Sequence, residues 1–339
     1  EDGVLGSMAE ALNDYPKFKQ FVYPKYFEML QAITGEIKGI PTNNLIAEYT
    51  YVLVNKELAD KYDFDAEKIK GYGDLKDFLA DVKAGEDVTP LNVIPDPLGI
   101  FYLFDDEDIA IGTYCDPMVG YNEEEGSKYT IQNVFNIPEY KSHVALMEEY
   151  KKAGYFEKSE DGAFAVDVIK GDASVEEIYG DEYYVKVVQN PFVNVDSIFK
   201  GMLSVATTTS NDTRAKEFIL ELTTNPEIKN LFQYGIEGVN YTVNDNGTIT
   251  RLNHTYMMDN ATTGNVLKGY PEEGMLPNQW DYVKQTNLDS LPNPYLSYVK
   301  NTKGYGAIYY VDDSAIDDKL TDIIRRAVMA EVYAGSQYT

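Results

Sequence analysis

The chain has 339 residues, 44% of them hydrophobic, with 56 acidic against 29 basic side chains and a formal net charge of −27. That length exceeds what one core organises and predicts two domains, while the charge repels nucleic acid and anionic lipid surfaces. The single cysteine, Cys115, leaves no disulfide framework and no zinc cluster, and no apolar run reaches the ~18 residues of a membrane-spanning helix.

In chain order, Tyr15 to Ile33 reads as helical with a break at Pro24, and Ile37 to Pro41 as a short strand leading to a turn at Asn43-Asn44. Thr50 to Val54 is a strand and Lys56 to Tyr62 a short helix. Asp74 caps the next helix, which runs to about Ala84 with Phe78, Leu79 and Val82 on its inner face. Leu91 to Ile94 is an apolar strand, and Pro95 to Gly99 with the aromatics up to Phe104 form a loop. A helix spans Pro138 to Ala153 and stops at Gly154, a strand spans Tyr183 to Val188, and Asn190 to Asp196 carries the chain between domains.

After a β-leaning run from Met202 to Thr207, Ser210 or Asn211 caps a helix whose stripe is Ala215, Phe218, Ile219 and Leu222. Asn225 and Pro226 open a second helix that is expected to bury Ile228, Leu231 and Phe232 and to end at Gly235. Tyr241 to Val243 and Thr248 to Thr250 flank Asn246-Gly247, a hairpin signature. Ser314 with Asp317 suggests a capping box before a helix reaching Val332. Strands alternating with helices predict an α/β fold with mainly parallel sheets.

No serine-nucleophile elbow, phosphate-binding loop, zinc-protease helix or dinucleotide glycine fingerprint occurs, so no cofactor is expected. His143, on the Pro138 helix beside Val144, suits the edge of a core, and His254 follows the hairpin. Asn244 to Ile249 imitates a calcium loop, but Thr242 and Asn253 stand where that loop needs carboxylates, so no metal is assigned. The acidic clusters at 105–108, 123–125, 157–161 and 176–182 read as solvated faces.

The run AKEFILELTTNPEIKNLFQYGIEG followed by VNYTVNDNGTI resembles the extracellular solute-binding proteins of carbohydrate-type ABC importers, particularly their long Gram-positive lipoprotein branch. DGVLGSMAEALNDYP, GEIKGIPTN, YVLVNKELADKY, IPEYKSHVALMEEYKKAGYF, TGNVLKGYP and NQWDYVKQTNLDSLPNPYLSY are similar to the same branch, so the resemblance covers nearly the whole chain. It implies a two-lobed periplasmic-binding-protein-like fold with a hinge and a ligand cleft between the lobes. Residues 1–44 and 200–254 would form lobe 1, and residues 45–199 and 255–339 lobe 2. The family begins with a signal peptide, a lipidated cysteine and a strand-helix-strand unit, so the first lobe is expected to be incomplete here.

The resemblance further implies a monomer that binds a sugar or oligosaccharide and delivers it to the permease subunits of an ABC transporter. It would sit on the extracellular face of the membrane through a lipid anchor absent from this chain. Peptides or other polar solutes, a glycan hydrolase with a carboxylate pair, and a surface adhesin are the alternatives. Sugars are held by aromatic faces against their C–H surfaces and by carboxylates and amides on their hydroxyls. The expected contacts are Trp280 as a stacking platform, Glu48 and Asp96 as carboxylates, Tyr49, Tyr102 and Tyr114 as aromatics, and Asn43, Asn44 and Asn265 as amides. Trp280, the only tryptophan, lies in LPNQWDY between Pro277 and an expected loop at Asn287.

Overall fold

The structure, a computed structural model, describes residues 3–13, 18, 22–93, 109–110, 118–121, 130–133, 138–193, 195–256 and 258–292. Its contacts divide the chain into two units: Glu1–Tyr49, Gly171–Ser174 and Asn190–Pro292 form the first, and Thr50–Lys170, Val175–Gln189 and Asn293–Thr339 the second. Residues 255–292 therefore belong with the first unit, whereas the resemblance implied a passage to lobe 2 after Leu252. The reason is local pairing. Leu291–Pro292 runs parallel to Phe192–Val193, and the 3-10 turn Val266–Lys268 packs against both the Pro226–Tyr234 and Gln279–Asp289 helices.

The second unit is built on a four-stranded sheet in the order Thr89–Leu91, Phe164–Gly171, Tyr49–Asn55, Tyr183–Gln189. Val52, Leu53 and Val54 are fully buried, because this central strand is covered on both faces and needs apolar residues at every position. The sheet is mixed rather than mainly parallel: the first pair is parallel, while Tyr183–Gln189 runs antiparallel to Tyr49–Asn55. Ile109–Ala110, Met118–Tyr121 and Thr130–Asn133 form a separate antiparallel sheet.

Helix Lys56–Lys61 starts where Asn55 Oδ1 accepts from the Leu58 amide at 3.1 Å. Helix Lys76–Gly85 turns Phe78, Leu79 and Val82 inward as its periodicity predicts. Asp74 does not cap it. Its carboxylate accepts from the amides of Lys70 and Gly71, at 2.8 and 3.0 Å, and so secures the 3-10 turn Tyr72–Leu75 ahead of the helix. Helix Pro138–Lys152 completes the core through Tyr150, whose hydroxyl donates to the Tyr72 carbonyl at 2.6 Å.

In the first unit, helix Tyr26–Thr34 begins beyond Pro24, and Ile40–Pro41 pairs antiparallel with Met202–Leu203. Asn211, rather than Ser210, caps helix Asp212–Thr224 by accepting from the Arg214 amide at 3.2 Å. Asn225 caps helix Pro226–Tyr234 in the same way. Strands Tyr241–Val243 and Ile249–Arg251 form the expected hairpin, with Gly247 at φ 87° in its turn.

Helix Pro226–Tyr234 faces the opposite way from its apolar periodicity. Leu231 is 53% exposed, while Lys229, Asn230 and Gln233 are buried. Phe218, on the preceding helix, is 48% exposed instead of packing inward. Phe218, Ile228, Leu231, Phe232, Ile236 and Tyr256 line an open apolar groove of about 440 Å3. Among the described residues no helix is long and apolar enough to cross a membrane. The expected helix at 314–332, Ile94, and the loop at 95–104 lie outside the described residues.

His143 stands at the edge of the second unit's core, its ring 5.6 Å from that of Tyr72. Burial disfavours the imidazolium and lowers its pKa to about 4. The unfolded chain therefore takes up this proton first as pH falls, so stability is present above pH ~6.5 and lost toward pH 4. Urea titrations of wild type and His143→Phe across this range should show the wild type losing more stability on acidification. An equal loss in both would remove His143 from the acid response.

Candidate functional site

Six of the nine expected ligand contacts lie among the described residues, and all six belong to the first unit: Asn43, Asn44, Glu48, Tyr49, Asn265 and Trp280. Asp96, Tyr102 and Tyr114 lie outside the described residues. The six divide into a buried framework and a more accessible set.

The framework is a chain of amides. Asn43 has φ 52°, a left-handed conformation that asparagine tolerates better than most residues, and its side chain donates to Asn265 Oδ1 at 3.1 Å. Asn265 is fully buried; its Nδ2 donates to the Thr223 carbonyl at 2.9 Å, and its Oδ1 also accepts from the Leu267 amide at 3.1 Å. The Val266 amide donates to the Thr42 carbonyl at 2.8 Å, and the Thr42 amide to the Gly201 carbonyl at 3.0 Å. Gly201 cannot be replaced here without a clash, because a Cβ would collide with Thr42 Oγ1.

Asn44 is held from both ends: its Nδ2 donates to Thr42 Oγ1 at 2.7 Å, and its carbonyl accepts from Asn287 Nδ2 at 2.7 Å. Asn287 Oδ1 accepts in turn from the Ile46 amide at 3.0 Å. Asn287 thus replaces two backbone partners for a segment that has no regular structure of its own. Sequence reasoning placed Asn287 on a loop; it is a buried member of helix Gln279–Asp289. Tyr26, Asn43, Asn44, Ile46, Ser197 and Asn287 surround a cavity of about 10 Å3, room for one water rather than a sugar. Among the described residues the buried Tyr26 hydroxyl has no hydrogen-bond partner, and burial raises its pKa.

The accessible set is mounted on this framework. Glu48 is exposed. Tyr49 donates its hydroxyl to Asp289 Oδ2 at 3.0 Å, and burial together with that carboxylate raises the phenol to about 12. Trp280 is half-buried on the same helix as Asn287 and Asp289, and its Nε1 donates to the Gly269 carbonyl at 2.7 Å. The indole edge is therefore fixed, in a residue that as a whole keeps partial solvent exposure. Asp289 and Gly269 were not singled out by sequence reasoning, and neither carries a local signal, since one acts through a side chain far along the chain and the other through a carbonyl.

Among the described residues no group of three or more histidine, cysteine, aspartate or glutamate side chains is arranged to hold a metal ion. Asn265→Ala should destabilise the protein by about 3 kcal/mol, because it leaves the Thr223 carbonyl, the Leu267 amide and the Asn43 amide buried and unpaired. Chemical denaturation measures this, and a loss below about 1 kcal/mol would show that the network is dispensable.

No protein-family model matches the chain. A carbohydrate ABC transporter substrate-binding protein of Streptococcus pneumoniae serotype 4 is 22% identical over 323 residues, covering 88% of this chain. The chain spans 64% of the length of that curated relative. The N-glycan transport solute binding protein NgtS of Streptococcus pneumoniae superposes with a TM-score of 0.56 at 19% identity, over 99% of this chain and 79% of its own. An HMO-binding, ABC-transporter-associated solute binding protein of Bifidobacterium longum infantis aligns over 98% of this chain and 76% of its own, with 15% identity and a TM-score of 0.48. The chain carries the α/β fold of the solute-binding proteins of carbohydrate ABC transporters, the family that its sequence resembles.

Proposed function

We propose that this chain is the extracellular solute-binding component of an ABC importer and that it captures a sugar or oligosaccharide for delivery to the permease. The observation that carries the reading is Trp280, an indole locked at its Nε1 edge by Gly269 in a residue that keeps partial solvent exposure. A ring immobilised before binding loses little entropy when a sugar stacks on it, so the stacking and burial energy goes into affinity. The similarity to a carbohydrate ABC transporter substrate-binding protein and to NgtS, an N-glycan transport protein, supports the same class of solute.

In this proposal Trp280 stacks on the apolar face of a sugar ring while the exposed Glu48 carboxylate accepts from sugar hydroxyls and Tyr49, whose own O–H is committed to Asp289, accepts from one. Asp96, Tyr102 and Tyr114 stay candidate contacts on the sequence resemblance alone. Asn43, Asn44 and Asn265 serve instead as the scaffold beneath it, since their side chains already bond within the protein. The protein binds without turnover and, in the cell, is held at the outer face of the membrane by a lipid anchor.

Calorimetry against a panel of mannose- and N-acetylglucosamine-containing glycans, milk oligosaccharides and peptides tests the proposal. A glycan should bind and be recovered intact, and Trp280→Ala should weaken binding by about 2 kcal/mol, roughly thirtyfold. Equal affinity in wild type and Trp280→Ala would reassign the indole to packing, and steady hydrolysis abolished by Glu48→Gln would replace the binding protein with a hydrolase.

A further inference from the structure

The buried face of helix Pro226–Tyr234 carries a cation. Lys229 is fully buried and forms no ion pair with a described residue; its Nζ donates to the Asn260 carbonyl at 3.1 Å and to Thr263 Oγ1 at 2.7 Å. A neutral amine has two N–H groups, and both are engaged. An ammonium has a third, and among the described residues the acceptors Gln233 Oε1 and Asn260 Oδ1 of the same buried cluster have no hydrogen-bond partner, nor does the donor Gln233 Nε2. Gln233 follows Lys229 by one helical turn on the same face, so the two side chains are neighbours.

Both side chains also stand beside Gly269, on the side where a Cβ would be. A Cβ at that position would lie 3.2 Å from Gln233 Oε1 and 3.5 Å from Lys229 Cε, so the two fill the space where any other side chain would stand. The Gly269 carbonyl is the group that holds the Trp280 indole. A rearrangement of Gln233 or of the Lys229 stem therefore reaches the ring through one residue.

We propose that Lys229 is a proton-dependent positioning residue for Trp280: neutral, it leaves the Gln233 amide seated against Gly269, and protonated, it draws that amide to its third N–H and shifts the carbonyl that fixes the indole. The consequence for solute binding rests on the reading of Trp280 as a stacking platform. Proton uptake forms an N–H bond on the Lys229 amine lone pair, with solvent water as the proton source, and nothing else is made or broken.

The charges facing Lys229 are few. From the 259–270 loop, Asp259 favours the ammonium, although its Oδ1 is engaged by the Ala261 amide; Lys268 meets the helix through its carbonyl, which accepts from Asn230. On Lys229's own helix, Glu227 lies exposed in the first turn. Thr263, Asn260, Asn230, Gln233 and Gly269 do not titrate. Burial outweighs the pull of Asp259 and lowers the lysine to about 7, which puts the change of state at neutral pH.

Trp280 is the only tryptophan, so its emission reports on this site without labelling. In the absence of solute, wild-type emission should change sigmoidally with a midpoint near pH 7, the change should vanish in Lys229→Met, and it should persist in His254→Gln, an exposed control. Emission constant between pH 5.5 and 9, or a transition that survives in Lys229→Met, overturns the proposal. Should Lys229→Met fail to fold by circular dichroism, a nitrogen-detected titration of the wild-type lysine Nζ decides: a midpoint near 10.4, the ordinary lysine value, overturns it. Affinity for the best glycan should change about fivefold or more across the same interval. An emission that titrates while affinity stays level would uphold Lys229 and sink the platform reading instead.

Discussion

The first unit depends on how helix Pro226–Tyr234 is turned. The 259–270 stretch has only two 3-10 turns and brings the carbonyls of Asn260, Lys268 and Tyr270 and the amide of Tyr270 to the interior, where each needs a partner. The helix supplies them. Lys229 donates to Asn260, Asn230 accepts from the Tyr270 amide at 2.8 Å and reaches the Lys268 carbonyl at 3.5 Å, and the Tyr234 hydroxyl donates to the Tyr270 carbonyl at 2.8 Å. With the polar face consumed in this way, Leu231 and Ile236 are left outward, and the apolar groove follows from the same choice. An unpaired buried backbone group costs about 1–3 kcal/mol, comparable to what burying a leucine contributes, so several such groups together decide the orientation.

The clasped loop then organises the site. It carries Asn265, which closes the bond to Asn43, and Gly269, which holds Trp280. The Gln279–Asp289 helix meets the same assembly from its other end, through Asn287 to Asn44 and Ile46 and through Asp289 to Tyr49. Two elements with little regular structure are thereby fixed by side chains of two helices. A binding surface assembled from loops needs such external support, because loops have few internal bonds to hold their geometry.

Much of the fold was legible because its signals are local. Asn211 and Asn225 each cap the helix that follows, Gly247 takes the positive φ that its hairpin turn requires, and the strand read at Thr50 to Val54 is an unbroken buried run. What was not legible is set by partners distant in sequence. The antiparallel direction of Tyr183–Gln189, the attachment of residues 255–292 to the first unit and the inverted helix face all follow from tertiary pairing that periodicity does not encode. The site shows the same division. Trp280 stood out by rarity, but the bond between Asn43 and Asn265, both named as candidate solute contacts, is invisible when two amides lie 222 positions apart. Lys229 was passed over because a lysine within an amphipathic helix ordinarily faces water.

Hydrogen exchange at the Tyr270 amide tests the polar clasp most directly, since that amide's partner is the buried Asn230 side chain rather than another backbone group. The account predicts slow exchange in wild type and, in Asn230→Ala, a marked gain in exchange at Tyr270 and across the 259–270 loop, while the second unit's sheet stays protected. Exchange at Tyr270 that is equally slow in both proteins would contradict the claim that the polar face of the helix holds this loop in place.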